Sequence, residues 1–315
     1  MRIWLTGASG FIGGHLLRAL RGAGHLVTCL VRAGGEARLA VRDPGVRVVQ
    51  APFAEPAAWV HRLEGHDALV NAVGIIRERA GSRFAAVHTT APIAAFEAAA
   101  RLGVRVVVQI SALGADRQAR SRYHLSKRRA DERLLGLPVR GVVLRPSLVY
   151  GRGDRSMELF ATLARLPVVP VPGDGRTRLQ PVWVGDLVRA VLVALERPGL
   201  AGVFDVGGGQ VLALDALFAA LGRWLGRRRT PRLHVPWPVL RLLAAATDAL
   251  GGRGPITAEE LQMLRRGNWC DNRPFVAGFG FAPVGFAEGL RYRPPPDTSL
   301  VRALARELRI MFAWG

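Results

Sequence analysis

The sequence predicts an α/β protein: a doubly wound parallel sheet followed by a smaller, mostly helical lobe. Three observations carry the prediction. Short β-branched runs alternate with alanine-rich helical stretches through the first half of the 315 residues. The strand runs are continuously apolar, as expected of strands covered on both faces. The first of them leads directly into a glycine-rich turn and a helix.

In order along the chain, residues 2–6 read as a strand and 11–21 as a helix. Residues 25–31, 46–50 and 67–73 read as strands. A long helix is expected over 84–102, a strand over 104–111 and a helix over 123–135. Residues 139–144 close this series as a strand. After Gly151 the pattern changes. Residues 167–175 are rich in Pro and Gly and read as loop. A helix is expected over 184–196 and a strand over 203–206. Most of 211–290 reads as helical. The domain division is therefore 1–210 for the sheet domain, with 151–181 contributing to the lobe, then 211–290 for the lobe. Residues 291–315 form a Pro-rich linker and a basic amphipathic tail helix, capped by Ser299, with Leu300, Leu304, Leu308 and Phe312 on one face.

Composition narrows the function classes. Hydrophobic residues make up 50% and charged residues 22%, ordinary for a globular protein. Cys29 and Cys270 give neither a disulfide framework nor metal-ligand spacing, which points to a reducing, cytoplasmic setting. No apolar run reaches the ~18 residues of a membrane span. The start of the chain lacks a secretory signature. The net charge of +20 favours anionic partners. The arginines are scattered, with one cluster at Arg227-Arg228-Arg229, and no nucleic-acid-binding signature is present. Contact between the basic tail and a membrane surface is one expectation, and docking of the tail onto the body or a partner is the alternative.

The chemistry concentrates in a few places. Gly7-Ala8-Ser9-Gly10-Phe11-Ile12-Gly13 lies where the first strand ends and the first helix begins. Glycine lets such a turn adopt φ > 0 and approach a pyrophosphate, and the helix N-terminus supplies free N–H groups. Gly7, Ser9, Gly10, Phe11, Ile12 and Gly13 are thus the expected phosphate cradle. Arg32 ends the second strand with no acid adjacent, which favours NADP(H), NAD(H) being the alternative. Ala72 and Gly74, at the end of the 67–73 strand, are small enough to let the chain pass a cofactor ribose.

Lysine occurs once in the whole chain, at Lys127, four residues after Tyr123. With three tyrosines in the chain, chance would give that register about one time in a hundred. On a helix the two side chains share one face. A nearby ammonium stabilises a phenolate and brings its proton within working range. Ser111, at the end of the 104–111 strand, is expected to orient a substrate oxygen, the alternative being a bond to the backbone. His124, beside Tyr123, reads as solvated.

These motifs, with Leu144-Arg145-Pro146-Ser147-Leu148-Val149-Tyr150-Gly151, resemble the extended short-chain dehydrogenase/reductase superfamily. Asn71-Ala72-Val73-Gly74-Ile75-Ile76, Ile110-Ser111-Ala112-Leu113-Gly114-Ala115 and the stretch from Gly175 to Asp186 are similar to an atypical branch. That branch includes the NADPH-binding accessory subunit of respiratory complex I and its bacterial relatives. The resemblance covers about residues 1–290. It implies a Rossmann domain holding NADP(H), with Arg32 at the 2′-phosphate, Tyr123 and Lys127 as the catalytic pair, and Ser147 beside the nicotinamide. Arg178 and Gln180 are expected to face a small-molecule substrate. The implied activity is hydride transfer to or from a carbonyl or alcohol. The alternative is a non-catalytic NADPH-binding subunit of a membrane-associated complex. One departure stands out: superfamily members often carry an Asp after the third strand, and this chain has Ala51-Pro52-Phe53.

Overall fold

The computed structural model describes residues 1–78, 81–251, 254 and 256–293. The tail helix expected beyond residue 293 lies outside them. Two compact units divide the chain. The first comprises Met1–Pro146, Val184–Val206 and Asp271–Ala282. The second comprises Ser147–Trp183, Gly207–Cys270 and the described residues from 283 onward.

The first unit is built on strands β1 (Arg2–Thr6), β2 (Leu26–Val31), β3 (Val46–Gln50), β4 (Ala68–Asn71), β5 (Val106–Ile110) and β6 (Arg140–Pro146), together with strand Gly202–Val206. All pairings are parallel. From one edge the order is β3, β2, β1, β4, β5, β6 and then Gly202–Val206. The order reverses at β1, and open α/β sheets bind their ligands at the C-terminal strand ends at such a point. Helices α1 (Phe11–Gly22), α2 (Ala91–Arg101) and α3 (Arg122–Leu135) connect strands of this sheet.

Burial explains why these segments become strands. Ile3, Trp4 and Leu5 of β1 and Val106, Val107 and Val108 of β5 are all fully buried, consistent with cover on both faces. Trp4 stacks on Trp59 with ring centroids 6.0 Å apart, and Phe53 stacks on Trp59 at 5.6 Å. The position after β3 where superfamily members often carry a carboxylate is thus given over to core packing.

Two differences from the sequence expectation have physical causes. The helix expected over 84–102 begins as a wide π-type turn, Ala85–Thr90, before α2. Pro92 has no N–H to donate four residues back and its ring crowds that carbonyl, so a regular α-helix cannot form there. The strand expected over 203–206 joins the sheet beyond β6, but the segment 271–282, expected in the lobe, packs with this unit instead. Its phenylalanines find partners here. Phe279 meets Phe204 edge-on at 5.0 Å, and the Arg189 guanidinium lies 4.1 Å from the centroid of Phe281.

The second unit is mostly helical, with Ser156–Leu163, Leu214–Trp224, Trp237–Ala249 and Ala258–Arg266. It also holds three short two-stranded pairings. Tyr150, Met157, Phe218 and Phe286 are at its core. Arg293, in the last described residues, is buried and pairs with buried Asp154 at 3.4 Å.

Candidate active site

The glycine turn is so tight that side chains do not fit in it. Gly7 has φ +78°, and a β-carbon there would lie 2.7 Å from the Ala72 carbonyl oxygen. A β-carbon on Gly13 would lie 2.0 Å from the Gly7 oxygen. These contacts press the N-terminus of α1 against the ends of β1 and β4. Gly10 is the N-cap, it is exposed, and no acidic residue occupies the first turn. The N–H groups of that turn have no acceptor within the helix, so the segment is suited to an anion. Ser9, Phe11 and Ile12 are half-buried around it, with Phe11 edge-on to His15 at 5.5 Å. Asn71 locks the strand ends together. Its Oδ1 accepts from Thr6 Oγ1 at 2.5 Å, and its Nδ2 donates to Gln109 Oε1 at 2.7 Å.

Arg32 is exposed just past β2. The nearest carboxylate in sequence, Glu36, accepts from Gln50 Nε2 at 3.2 Å. The segment that follows also carries Arg38 and Arg42, both exposed or half-exposed. A cradle for a diphosphate is therefore present in the first unit, with the exposed Arg32 at the end of β2, and the residues fit a dinucleotide.

Helix α3 carries the side chains that the sequence marks as candidates for catalysis. Ser121 caps it, its Oγ accepting the His124 N–H at 3.2 Å. His124 itself is buried, with Nδ1 2.8 Å from Ser121 Oγ, so the expectation of a solvated imidazole is corrected. Tyr123, Lys127 and Asp131 follow at intervals of four and share one side of the helix. Lys127 is buried, and its Nζ donates to the Ile110 carbonyl at 3.0 Å and the Val73 carbonyl at 3.4 Å. That engages two of its three N–H groups. A β-carbon added to Gly74 would come within 3.3 Å of this ammonium, so the residue at the exposed end of the β4 loop lies against it.

Asp131 is fully buried. Its Oδ2 accepts from Ser111 Oγ at 2.7 Å and from Arg145 Nε at 3.0 Å. The expectation for Ser111 was a hydroxyl positioning a substrate oxygen. In the structure its hydrogen goes to a buried carboxylate instead, because charge-assisted bonds of this kind outcompete neutral ones. Burial pushes the Asp131 carboxyl up to about 6, with Arg145 opposing. Burial pushes the Lys127 ammonium down to about 8, and the Asp131 charge works against that fall. The half-buried Tyr123 phenol is pushed up to about 12 by desolvation and then by Asp131.

His88 supports the same helix. The wide turn before α2 places its Nε2 to accept the Ile75 N–H at 3.0 Å, which puts the ring proton on Nδ1. Nδ1 lies 3.0 Å from Ser126 Oγ, which in turn donates to the Tyr123 carbonyl at 2.7 Å. Burial and then the Lys127 charge push the imidazole down to about 2, so it stays neutral. The His88 and Phe84 rings both meet the Tyr123 ring edge-on, at 5.3 and 5.8 Å.

The remaining predicted residues lie in the second unit. Ser147 is buried and donates to the Gln180 carbonyl. Gln180 is also buried, and both ends of its amide bond backbone: Nε2 to the Gly208 carbonyl and Oε1 to the Cys270 N–H, each at 2.8 Å. It acts as a clamp within the unit rather than facing a substrate, because a buried amide must satisfy both ends. Arg178 is exposed and its guanidinium stacks over Trp269, 3.9 Å from the ring centroid.

The sequence reading missed Asp131, Arg145, His88 and Ser126. Asp131 had a usable signal, since it continues the four-residue spacing of Tyr123 and Lys127. His88 had none, because its position depends on the irregular turn ahead of Pro92.

A parallel sheet with a topological reversal, a glycine turn under a helix N-terminus and a buried lysine one turn from a tyrosine define a dinucleotide-binding α/β protein of the oxidoreductase type. Residues 3–207 match the model of the NAD dependent epimerase/dehydratase family, and the chain belongs to that family. A ceramide reductase of Caulobacter vibrioides is 32% identical over 203 residues, 64% of this chain and 63% of that relative. Subunit 9 of the NADH dehydrogenase [ubiquinone] 1 alpha subcomplex of Arabidopsis thaliana is 26% identical, with 82% of this chain and 66% of the relative covered. The matches thus span a little under two thirds of those two curated relatives. A 2-alkyl-3-oxoalkanoate reductase of Stenotrophomonas maltophilia is 26% identical, covering 92% of this chain and 98% of its own. Among solved structures, the Bordetella bronchiseptica enzyme WbmG in complex with NAD has a TM-score of 0.73 at 16% identity, with 98% and 95% of the two chains covered. At that identity the likeness shows the fold alone.

Proposed function

We propose that this chain is an NADP(H)-dependent reductase of a carbonyl group on a small, apolar substrate. The observation that carries the reading is Lys127: the only lysine of the chain, buried, and one turn from Tyr123. Burying a lysine is costly, and such a group recurs where it has chemical work. Arg32, without a neighbouring acid, supports NADP(H) over NAD(H). The names of two relatives, a ceramide reductase and a 2-alkyl-3-oxoalkanoate reductase, support a fatty substrate class.

When bound, the nicotinamide supplies the hydride that reaches the carbonyl carbon. Tyr123 donates its phenolic proton to the carbonyl oxygen. A phenol pushed up to about 12 holds that proton at neutral pH, which suits the acid of a reduction. Lys127, pushed down to about 8, is still mostly cationic at neutral pH and lowers the cost of the developing phenolate. Asp131 and Arg145 hold the helix and set that charge balance. Ser111 acts through Asp131 as a positioning residue. The protein would act in the cytoplasm or at the inner face of a membrane, without nucleic acid.

Tyr123→Phe tests the reading. Turnover with NADPH and a fatty ketone should fall at least about 100-fold while NADPH binding, followed by fluorescence, is retained. Unchanged turnover ends the proposal. A second reading, a cofactor-holding subunit without turnover, is favoured by the commitment of the Ser111 hydrogen to Asp131 and by the likeness to the Arabidopsis subunit. It predicts NADPH binding with no ketone reduction in the wild-type chain, and stoichiometric co-purification with a respiratory complex.

A further inference from the structure

We infer that the outer side of the helix Trp237–Ala249 is a docking face for an anionic bilayer surface. The helix turns Leu240, Ala244 and Thr247 inward. Its other side carries Val239 (54% exposed), Leu242 (75%) and Leu243 (43%), then Ala246, and Leu250 (64%) just past its end. These positions follow the helical repeat and form one continuous stripe. Leu233, on the neighbouring strand Arg232–Val235, is 61% exposed. Thirteen large hydrophobic side chains are exposed among the described residues, and five of them fall within 233–250. Ordinary surfaces scatter such side chains singly; a contiguous set marks a surface that meets something apolar.

Charge selects the occupant. Residues 223–266 hold nine arginines against Asp248, Glu259 and Glu260. Arg228, Arg229, Arg241 and Arg265 are exposed, and the Arg265 guanidinium lies 5.9 Å from the ring centroid of Trp237 at the start of the helix. A second copy of this chain would set this basic patch against itself across a two-fold axis. An anionic lipid surface instead complements the arginines while its acyl region accepts the leucines. No described helix is long and apolar enough to cross a membrane, and these 13 residues suit a position in the plane of the headgroups. The face shares no residue with the Tyr123 and Lys127 site, so the two readings stand or fall separately.

Vesicle sedimentation of the full-length chain tests the inference. Binding to phosphatidylcholine vesicles containing phosphatidylglycerol should exceed binding to phosphatidylcholine alone by about tenfold or more at low salt, and should weaken as salt rises. Leu242→Gln combined with Leu250→Gln, with the tail intact, should cut binding about tenfold without altering charge. Arg228→Gln combined with Arg229→Gln should weaken it several-fold and flatten the salt dependence. Equal binding to both vesicle types, or full binding by the leucine variant, overturns the inference. So does light scattering that shows a dimer which the leucine variant converts to a monomer.

Discussion

Two helices of nearly equal length, α3 with 14 residues and Trp237–Ala249 with 13, depart from ordinary burial in opposite directions. Helix α3 buries Lys127 and Asp131, groups that almost never leave water unless they are paired. Helix Trp237–Ala249 leaves leucines in water. In α3 the cost of burial is met in part by specific partners: two carbonyls for the ammonium, and a serine and an arginine on Oδ2 of the carboxylate, whose Oδ1 has no hydrogen-bond partner among the described residues. In Trp237–Ala249 no described partner covers the stripe. Buried charges held by such partners point to chemistry performed inside the fold, whereas an uncovered apolar stripe points to a surface that completes itself against something else.

The largest expected effect concerns the ground on which the α3 site rests. Gly13→Val should abolish dinucleotide binding and destabilise the first unit by ~3 kcal/mol or more, because the β-carbon has no space against the Gly7 backbone. Calorimetry and NADPH titration measure both, and intact binding would remove the glycine turn from the site. Asp131→Ala comes next. It strips the partner from the mostly buried Arg145 and should lower stability by about 3–5 kcal/mol in urea melts. An effect below ~1 kcal/mol would show that the pair is solvated and α3 less distinctive than it appears.

pH sharpens the comparison further. If the cationic Lys127 is needed, reduction slows as pH rises through about 8, well before the Tyr123 phenol, at about 12, gives up its proton. Asp131→Asn removes the charge that holds the ammonium up, so the falling limb should move to lower pH. A limb that stays in place would detach Asp131 from Lys127. His88 adds an acid-side effect. Its folded value of about 2 lies far below the free imidazole at ~6.5, so the unfolded chain takes up a proton that the folded chain refuses. Stability is therefore lost as pH falls below ~6.5, and His88→Gln should flatten that loss in thermal melts at pH 7.5 and 5. The smallest effect belongs to the other helix. Leu242→Gln should change stability by no more than about 0.5 kcal/mol, since the side chain already sits in water.

Most of the sheet was legible because its strands alternate with helices in a fixed rhythm, and both the Gly7–Gly13 turn and the Tyr123–Lys127 register are local features. Legibility faded where partners are distant in sequence. Ser111 read as a hydroxyl that orients a substrate oxygen or bonds the backbone, and only the approach of α3 to the ends of β5 and β6 brought Asp131 to it. Gln180 read as a substrate contact because its neighbours resemble a family motif, yet Gly208 and Cys270 take up its amide. The return of Phe275, Phe279 and Phe281 to the first unit was hidden in a stretch whose local pattern is simply helical.

By itself, then, the sequence determined the parallel sheet, the dinucleotide turn and the pairing of its one lysine with a tyrosine, because each depends on spacings shorter than a few helical turns. Tertiary structure alone decided which side chains keep a proton or a charge and which leucines stay wet. Those outcomes follow from desolvation and from neighbours that the chain brings together across tens of residues.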